Sequence, residues 1–400
     1  MTVDRAATAD LRAVMPRPTL RAGSLVLHCL ALFAAARTVT SVFLLWLTTQ
    51  TTAASEAGAS PSFTGLSSVW DGRWYRRIAY GGYPATLPVD AHGQVLQNEW
   101  AFLPGYPFVT RVVSTITGAD WSAAAVGTAL VLGAAAAVLL GLLLAPHVGA
   151  DRALLAVALF SFSPVAFMLQ TAYADSMMLC LVFGALLLVD RGRSGWAIPV
   201  VIAASLTRPG VLAVALAVAL VLLQRWREER RWTRRTTWDL ALLAVAGVGG
   251  LAWPLIAGSA TGRADAYVLT EIAWRAPWTG SAVFTPFEPW LFVAQQLFGI
   301  AGPPVLGLVV GATAWFVLIP ARRLGRTARI WVGAYALYLL AVFMPQTSLP
   351  RLLMPMAPAL GAIRTPSRTV AIALVALSTV LQLLWCWCTY GPVKTWLTVP

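Results

Sequence analysis

Apolar runs close to 20 residues long recur along this chain, divided by short segments that carry arginine. Such a run has the length a helix needs to cross a hydrocarbon core of roughly 30 Å. Inside a bilayer the backbone must satisfy its own hydrogen bonds, so these runs are expected as helices. The expected fold class is an all-α polytopic membrane protein. Composition agrees: 11% of residues are charged, about half the share of a soluble domain. The length of 400 residues would allow two soluble domains, but no polar stretch is long enough to build a second core.

The net charge of +13 does not indicate a nucleic-acid partner, because the arginines sit mostly in short loops between apolar runs. Lys394 is the only lysine, and with abundant Ala, Gly and Val this points to a GC-rich bacterial genome. Cys29, Cys180, Cys386 and Cys388 all fall in apolar segments and read as small buried hydrophobes. His28, His92 and His147 are scattered, and no zinc spacing exists.

Arginine placement orients the spans. A tail over 1–24, with Arg5, Arg12, Arg17 and Arg21, is expected in the cytoplasm, and 25–400 forms one membrane domain. Residues 1–36 partly mimic a signal peptide. However, 39–47 is apolar again, so 25–47 reads as an uncleaved first helix. A long extracytoplasmic loop of mixed charge follows over 48–120. Spans over 121–145, 153–170 and 174–189 lead to a basic cytoplasmic turn at 190–193. The segment 196–224 is broken by Thr207-Arg208-Pro209-Gly210. It reads as two short helices that enter and return, which keeps the basic run 225–235 in the cytoplasm. Irregular backbone at membrane depth is tolerated only against protein or a watery cavity, so this break is a candidate cavity wall. Spans over 238–257, 302–319, 330–345, 352–363 and 369–389 complete about 11 transmembrane or re-entrant helices. A second external loop covers 258–300, and the C-terminus ends outside.

The chemistry-bearing residues cluster in the first external loop. Asp71 is expected to open a short interfacial helix over 69–80, capped by Ser67 or Ser68. Asp71 then shares a face with Trp74, Tyr75 and Ile78, and Trp70 and Trp74 suit the membrane surface. Asp71 serves equally well as a favourable charge at a helix N-terminus or a partner of Arg73 or Arg76. The stretch from Asn98 and Glu99 to Pro107 reads as a stiff aromatic corner in which Glu99 alone has acid–base capacity. Tyr173 and Asp175 lie on the same side as Asp71, where Asp175 also fits as a helix cap. Arg37, in the middle of the first span, and Arg208, at the break, are charges at bilayer depth, which usually face the bundle interior. Arg351 starts an external helix, placed to reach headgroups or a phosphate.

At these residues the chain resembles the PIG-V-like family of GT-C glycosyltransferases, related to GPI mannosyltransferase II. The family's Trp-Asp, Ile-Ala and Gly-Tyr resemble Trp70-Asp71, Ile78-Ala79 and Gly82-Tyr83. Its Ala-Phe-Phe-Pro-Gly-Phe-Pro is similar to Ala101 through Pro107. Its Ser-Pro and Tyr-Ser-Glu motifs are similar to Ser163-Pro164 and Tyr173-Ala174-Asp175, with Asp in place of Glu. Its Arg-Asn-Gly is similar to Arg208-Pro209-Gly210, with Pro in place of Asn. An Asn ahead of the second motif falls at Asn98 or Glu99, and Arg37 matches an arginine of the first span. The matches run in order over about 30–215.

The resemblance implies a GT-C-like bundle in a bacterial plasma membrane with an extracytoplasmic active site. It implies transfer of mannose, with inversion, from polyprenyl-phosphate mannose to a lipid-linked or glycan acceptor. Asp71 is then the base, as a carboxylate suits removal of the acceptor hydroxyl proton. Arg37, Arg208 and Arg351 are the cations on the donor phosphate. Trp70, Trp74, Tyr75, Asn98, Glu99, Tyr173, Asp175 and Trp274 line the substrates, and Trp274 and Trp278 also suit interface anchoring. No cofactor is implied beyond the lipid-phosphate donor, and divalent-metal dependence stays open. Three other readings also stay open: a flippase for a polyprenyl-linked sugar, a same-fold transferase for another sugar, and a non-catalytic assembly subunit.

Overall fold

The computed structural model describes residues 22–275 and 283–392. The expectations for Arg5, Arg12, Arg17, Arg21, Trp278 and Lys394 lie outside the described residues. Among the described residues the architecture is helical, with one isolated bridge between Val89 and Val95. Five candidate membrane spans are long and apolar enough to cross a bilayer: Ala22–Thr48, Trp121–Val148, Arg234–Thr261, the run Glu288–Arg323, and Arg368–Tyr390. The chain is a membrane-embedded helical protein.

The helices are α1 (Ala22–Thr48), α2 (Phe63–Leu66), α3 (Asp71–Gly81), α4 (Gly105–Thr117), α5 (Trp121–Val148), α6 (Ala150–Ser161), α7 (Asp175–Asp190) and α8 (Ser194–Ser205). There follow α9 (Val211–Glu229), α10 (Arg234–Thr261), α11 (Ala266–Ala273), α12 (Glu288–Phe298), α13 (Gly302–Leu318), α14 (Arg326–Val342), α15 (Leu349–Leu352) and α16 (Arg368–Tyr390). Caps fix several starts. Asp120 accepts from the Ser122 and Ala123 amides at 2.9 and 3.1 Å, and Thr233 and Thr236 form a capping box that opens α10.

Helix α5 lies at the centre, against α1, α6 and α7. Small residues permit this. A Cβ at Gly141 would fall 2.6 Å from the Cys29 sulfur, and one at Gly133 would fall 2.9 Å from the Phe33 ring. Close backbone approach through small residues is how helices associate where lipid removes the hydrophobic incentive. Cys29 and Cys386 are fully buried, as expected, while Cys180 and Cys388 are only partly so.

Two spans differ from expectation. Residues 153–170 are not one helix. Helix α6 has 12 residues, about 18 Å, and a turn then leads into the 3₁₀ helix Ala166–Gln170. Ser163-Pro164 lies in that turn, where proline cannot continue the helix. Residues 352–363 are also not an α-helical span. They form the buried 3₁₀ helix Met354–Ala362, with Pro355 and Pro358 inside it. The Trp331 indole donates to the Pro355 carbonyl at 2.7 Å, tying this segment to α14.

The break at Thr207–Gly210 is present, and it joins α8 to α9 as a hairpin. Arg208 pairs with Asp175 at the start of α7, while Arg225 near the end of α9 reaches Val189 near the end of α7. The hairpin thus returns, with Arg208 and Arg225 at opposite ends of the bundle.

Candidate functional site

Asp71 opens α3, but neither Ser67 nor Ser68 caps it. Ser67 closes the preceding short helix, and the Ser68 hydroxyl turns back to the Thr64 carbonyl at 2.7 Å. Trp70 makes the corner between α2 and α3 at φ 52°. That is a left-handed conformation for a bulky residue, and it costs on the order of 1–3 kcal/mol. The strained corner aims Asp71 inward, away from Arg73, which pairs with Glu56 instead.

Asp71 pairs with Arg351 Nη1 at 2.9 Å. Arg351 also faces Asp175, with Nε 4.0 Å from Oδ1, too long for a hydrogen bond. Asp175 Oδ2 in turn accepts from Arg208 Nη1. A chain of alternating charge therefore runs Asp71, Arg351, Asp175, Arg208. Each residue comes from a different element: the start of α3, α15, the start of α7 and the α8–α9 break. Burial opposes the Arg351 charge, but the neighbouring carboxylates of Asp71 and Asp175 outweigh it and raise the guanidinium above its ordinary value. The Asp71 side chain keeps 18% exposure against 7% for Asp175, so Asp71 is the more accessible carboxylate.

Backbone contacts hold these elements in register. The Ala172 amide donates to the Ser67 carbonyl at 2.8 Å, joining the segment before Asp175 to the segment before Asp71. Gly72 sits where a Cβ would meet Ala172 at 3.2 Å. The Gly105 amide donates to the Leu206 carbonyl at 2.6 Å, and a Cβ there would fall 2.7 Å from that oxygen. The Pro104-Gly105 corner is thus what seats the Arg208 break.

Aromatic rings wall one side. Trp74 stacks on Phe102 with centroids 5.7 Å apart and meets Trp274 edge-on at 5.7 Å. Tyr75 is buried between Phe102 and Tyr106, and burial raises its phenol while Arg208 acts the other way. The Arg351 guanidinium lies 5.2 Å above the Tyr173 ring, close enough for a cation–π contact. Among the described residues, the indole nitrogen of Trp274, the Ser176 hydroxyl and both amide atoms of Gln170 are buried without hydrogen-bond partners.

Four expected site residues take other places. Arg37 donates to the Ala166 carbonyl and, at 2.5 Å, to the Ser161 carbonyl. It closes the end of α6, where unsatisfied carbonyls face a low-dielectric interior, and no carboxylate of the cluster pairs with it. Asn98 spends its side chain on the fold. Its oxygen accepts from the Trp100 amide at 3.0 Å, and its nitrogen donates to Leu96 and Thr270. Trp70 packs on Tyr390 at 5.2 Å, in the cluster around Leu44 and Leu66. Glu99 lies half-buried in the 3₁₀ helix Glu99–Ala101 and forms no ion pair with the cluster.

Glu271 was not anticipated. On α11 its carboxyl meets the Tyr267 hydroxyl; burial raises it, while Arg275 and Arg208 act in the opposite direction. The signal was the spacing Tyr267, Glu271, Arg275, which places all three on one helix face. Among the described residues no group of three or more His, Cys, Asp or Glu gathers to hold a metal.

A comparison with protein-family models finds no match to the chain, and a comparison with curated proteins finds none either.

Proposed function

We propose that this chain is a polyprenyl-phosphate-sugar-dependent glycosyltransferase of GT-C type. It transfers mannose with inversion to a lipid-linked or glycan acceptor at the extracytoplasmic face. One observation carries the reading: two carboxylates and two arginines from four separate elements converge beside an aromatic wall at one end of a membrane bundle. The bundle is read as about 11 crossing or re-entrant segments, with the α8–α9 hairpin among them.

In this reading the donor phosphate competes with Asp71 and Asp175 for Arg351 and Arg208. Guanidinium forks match phosphate oxygens in pairs. Drawing Arg351 onto phosphate frees Asp71 from its ion pair and leaves it basic. The acceptor oxygen then bonds to the anomeric carbon as the bond from that carbon to the phosphate oxygen breaks. The hydroxyl proton passes to Asp71, and the bond electrons leave with polyprenyl phosphate. Trp74, Phe102 and Trp274 supply apolar faces for the sugar and the first isoprene units.

The test uses membranes containing the full chain and polyprenyl-phosphate mannose. Mannose transfer and release of free polyprenyl phosphate are followed together, in wild type and Asp71→Asn. Wild type should release one polyprenyl phosphate for each mannose transferred, and both should fall together in Asp71→Asn. Movement of intact donor across the membrane without its consumption would replace this reading with a flippase. Consumption of a different sugar donor alone would keep the chemistry and change the substrate.

A further inference from the structure

At the end of the bundle opposite Asp71, helices α9, α13 and α14 enclose an open groove of about 380 Å³. Leu220, Leu318 and Ile330 form its walls, and Gln224, Arg322 and Arg329 sit at its basic end. Among the described residues no carboxylate lines it. Among the described residues of α13 only Gly302, at its far end, is buried, so the groove opens along the apolar outer surface of the bundle.

The charges nearby are unequally committed. Arg326 turns to Glu228 at 2.6 Å, and Arg225 turns to Asp239 at 2.6 Å. The side chains of Arg322 and Arg329 have no hydrogen bond or ion pair among the described residues. Two guanidiniums therefore stand at the end of an apolar trough, while Glu228 and Asp239 are paired with other arginines. This is a built asymmetry, apolar along its length and cationic at one end.

We propose that the groove holds one anionic phospholipid. An acyl chain lies along Leu220, Leu318 and Ile330, and the headgroup phosphate sits on Arg322 and Arg329. Charge complementarity selects the occupant. A zwitterionic headgroup brings its own cation toward the arginines, whereas an anionic one does not. Basic pockets between helices at a membrane face suit such headgroups, and two near-surface arginines favour an anionic lipid by roughly tenfold or more. Gln224 adds an amide donor within reach of the ester region. The site is remote from Asp71 and stands whether or not the glycosyl-transfer reading holds.

The full chain is reconstituted in nanodiscs of phosphatidylcholine with phosphatidylglycerol as the minority lipid. Lipid retained after release is counted by native mass spectrometry. Wild type should retain phosphatidylglycerol over phosphatidylcholine by about tenfold relative to the bulk ratio. Arg322→Gln with Arg329→Gln should abolish that preference. Arg364→Gln with Arg368→Gln, which alters two exposed arginines of another loop, should keep it. Gly333→Phe should expel the retained lipid with both arginines intact, because Gly333 lines the groove and a Cβ there only touches Leu318 at 3.7 Å. Excess inorganic phosphate should leave the lipid in place. No preference in wild type, preference surviving loss of both arginines, or displacement by inorganic phosphate would each overturn the proposal. Thermal midpoint and monodispersity are read for every variant. If the double arginine variant fails to fold, Gly333→Phe decides alone.

Discussion

The two ends of the helical bundle each bury an arginine–aspartate pair, and the pairs are built differently. At one end Arg225 gives Nη1 to Asp239 at 2.6 Å and Nη2 to the Val189 carbonyl at 3.1 Å. The second oxygen of Asp239 accepts from the Ser194 hydroxyl. The cavity beside this pair is about 10 Å³, room for about one water. Arg235 Nε nearby is buried without a hydrogen-bond partner among the described residues, but both oxygens of Asp239 and both terminal nitrogens of Arg225 are matched. At the other end Asp71, Arg351, Asp175 and Arg208 share partners in series, and the buried groups of Gln170, Ser176 and Trp274 go unmatched among the described residues. A satisfied pair holds helices together. A shared and partly unmatched set leaves capacity for a guest.

That contrast can be broken by mutation. The largest effect is expected from Asp71→Asn, which keeps the shape and removes the base. Transfer should fall by about 10²–10⁴-fold, with a smaller change in thermal stability than Arg225→Ala produces. Near-normal turnover at equal protein level would end the assignment of Asp71 as base. Arg225→Ala should act in the opposite sense. It strands Asp239 in the interior, and breaking a buried pair costs about 3–5 kcal/mol, read as a lower denaturation midpoint in detergent. Replacing the pair together, Arg225→Met with Asp239→Leu, should recover most of that loss. If it does not, this end does more than hold helices.

Gly105→Ala tests how the Arg208 break is seated. The new methyl would press on the Leu206 carbonyl and shift the backbone beside Arg208. A displacement of about 1 Å can cost about 10²-fold, and transfer should fall by up to that amount with weaker donor use. Unchanged kinetics would mean that the corner does not position Arg208. The smallest effect is expected from Asn98→Ala. Losing the cap should cost about 1 kcal/mol while transfer per folded molecule stays level. A selective kinetic defect would return Asn98 to the substrate.

Much of the helical pattern was legible because length and apolarity decide it. The hairpin at Arg208 was legible for a second reason: Arg-Pro-Gly cannot continue a helix, and the basic residues beyond it demanded a return. Residues 352–363 were misread because apolarity there conceals two prolines that turn an α-helix into a 3₁₀ segment. Asp71, Asp175, Arg208 and Arg351 could each be picked out as charges out of place. Their pairing could not, since Asp71 and Arg351 lie 280 residues apart and only packing brings them together. Arg37 satisfied the same rule and took another role, because a charge at bilayer depth needs partners and backbone carbonyls serve as well as a carboxylate.

The four-residue cluster sums to zero charge, two carboxylates against two guanidiniums. A phosphodiester donor entering it brings the total to minus one. In the proposed transfer, the departing phosphate gains a negative charge as the glycosyl bond is exchanged and Asp71 gains a proton, so the total holds at minus one. A site walled by protein and lipid resists changes in net charge far more than it resists their rearrangement. Under that proposal, electroneutral exchange would move the electrical cost out of the chemical step and into product departure, when the proton and the lipid phosphate must leave together.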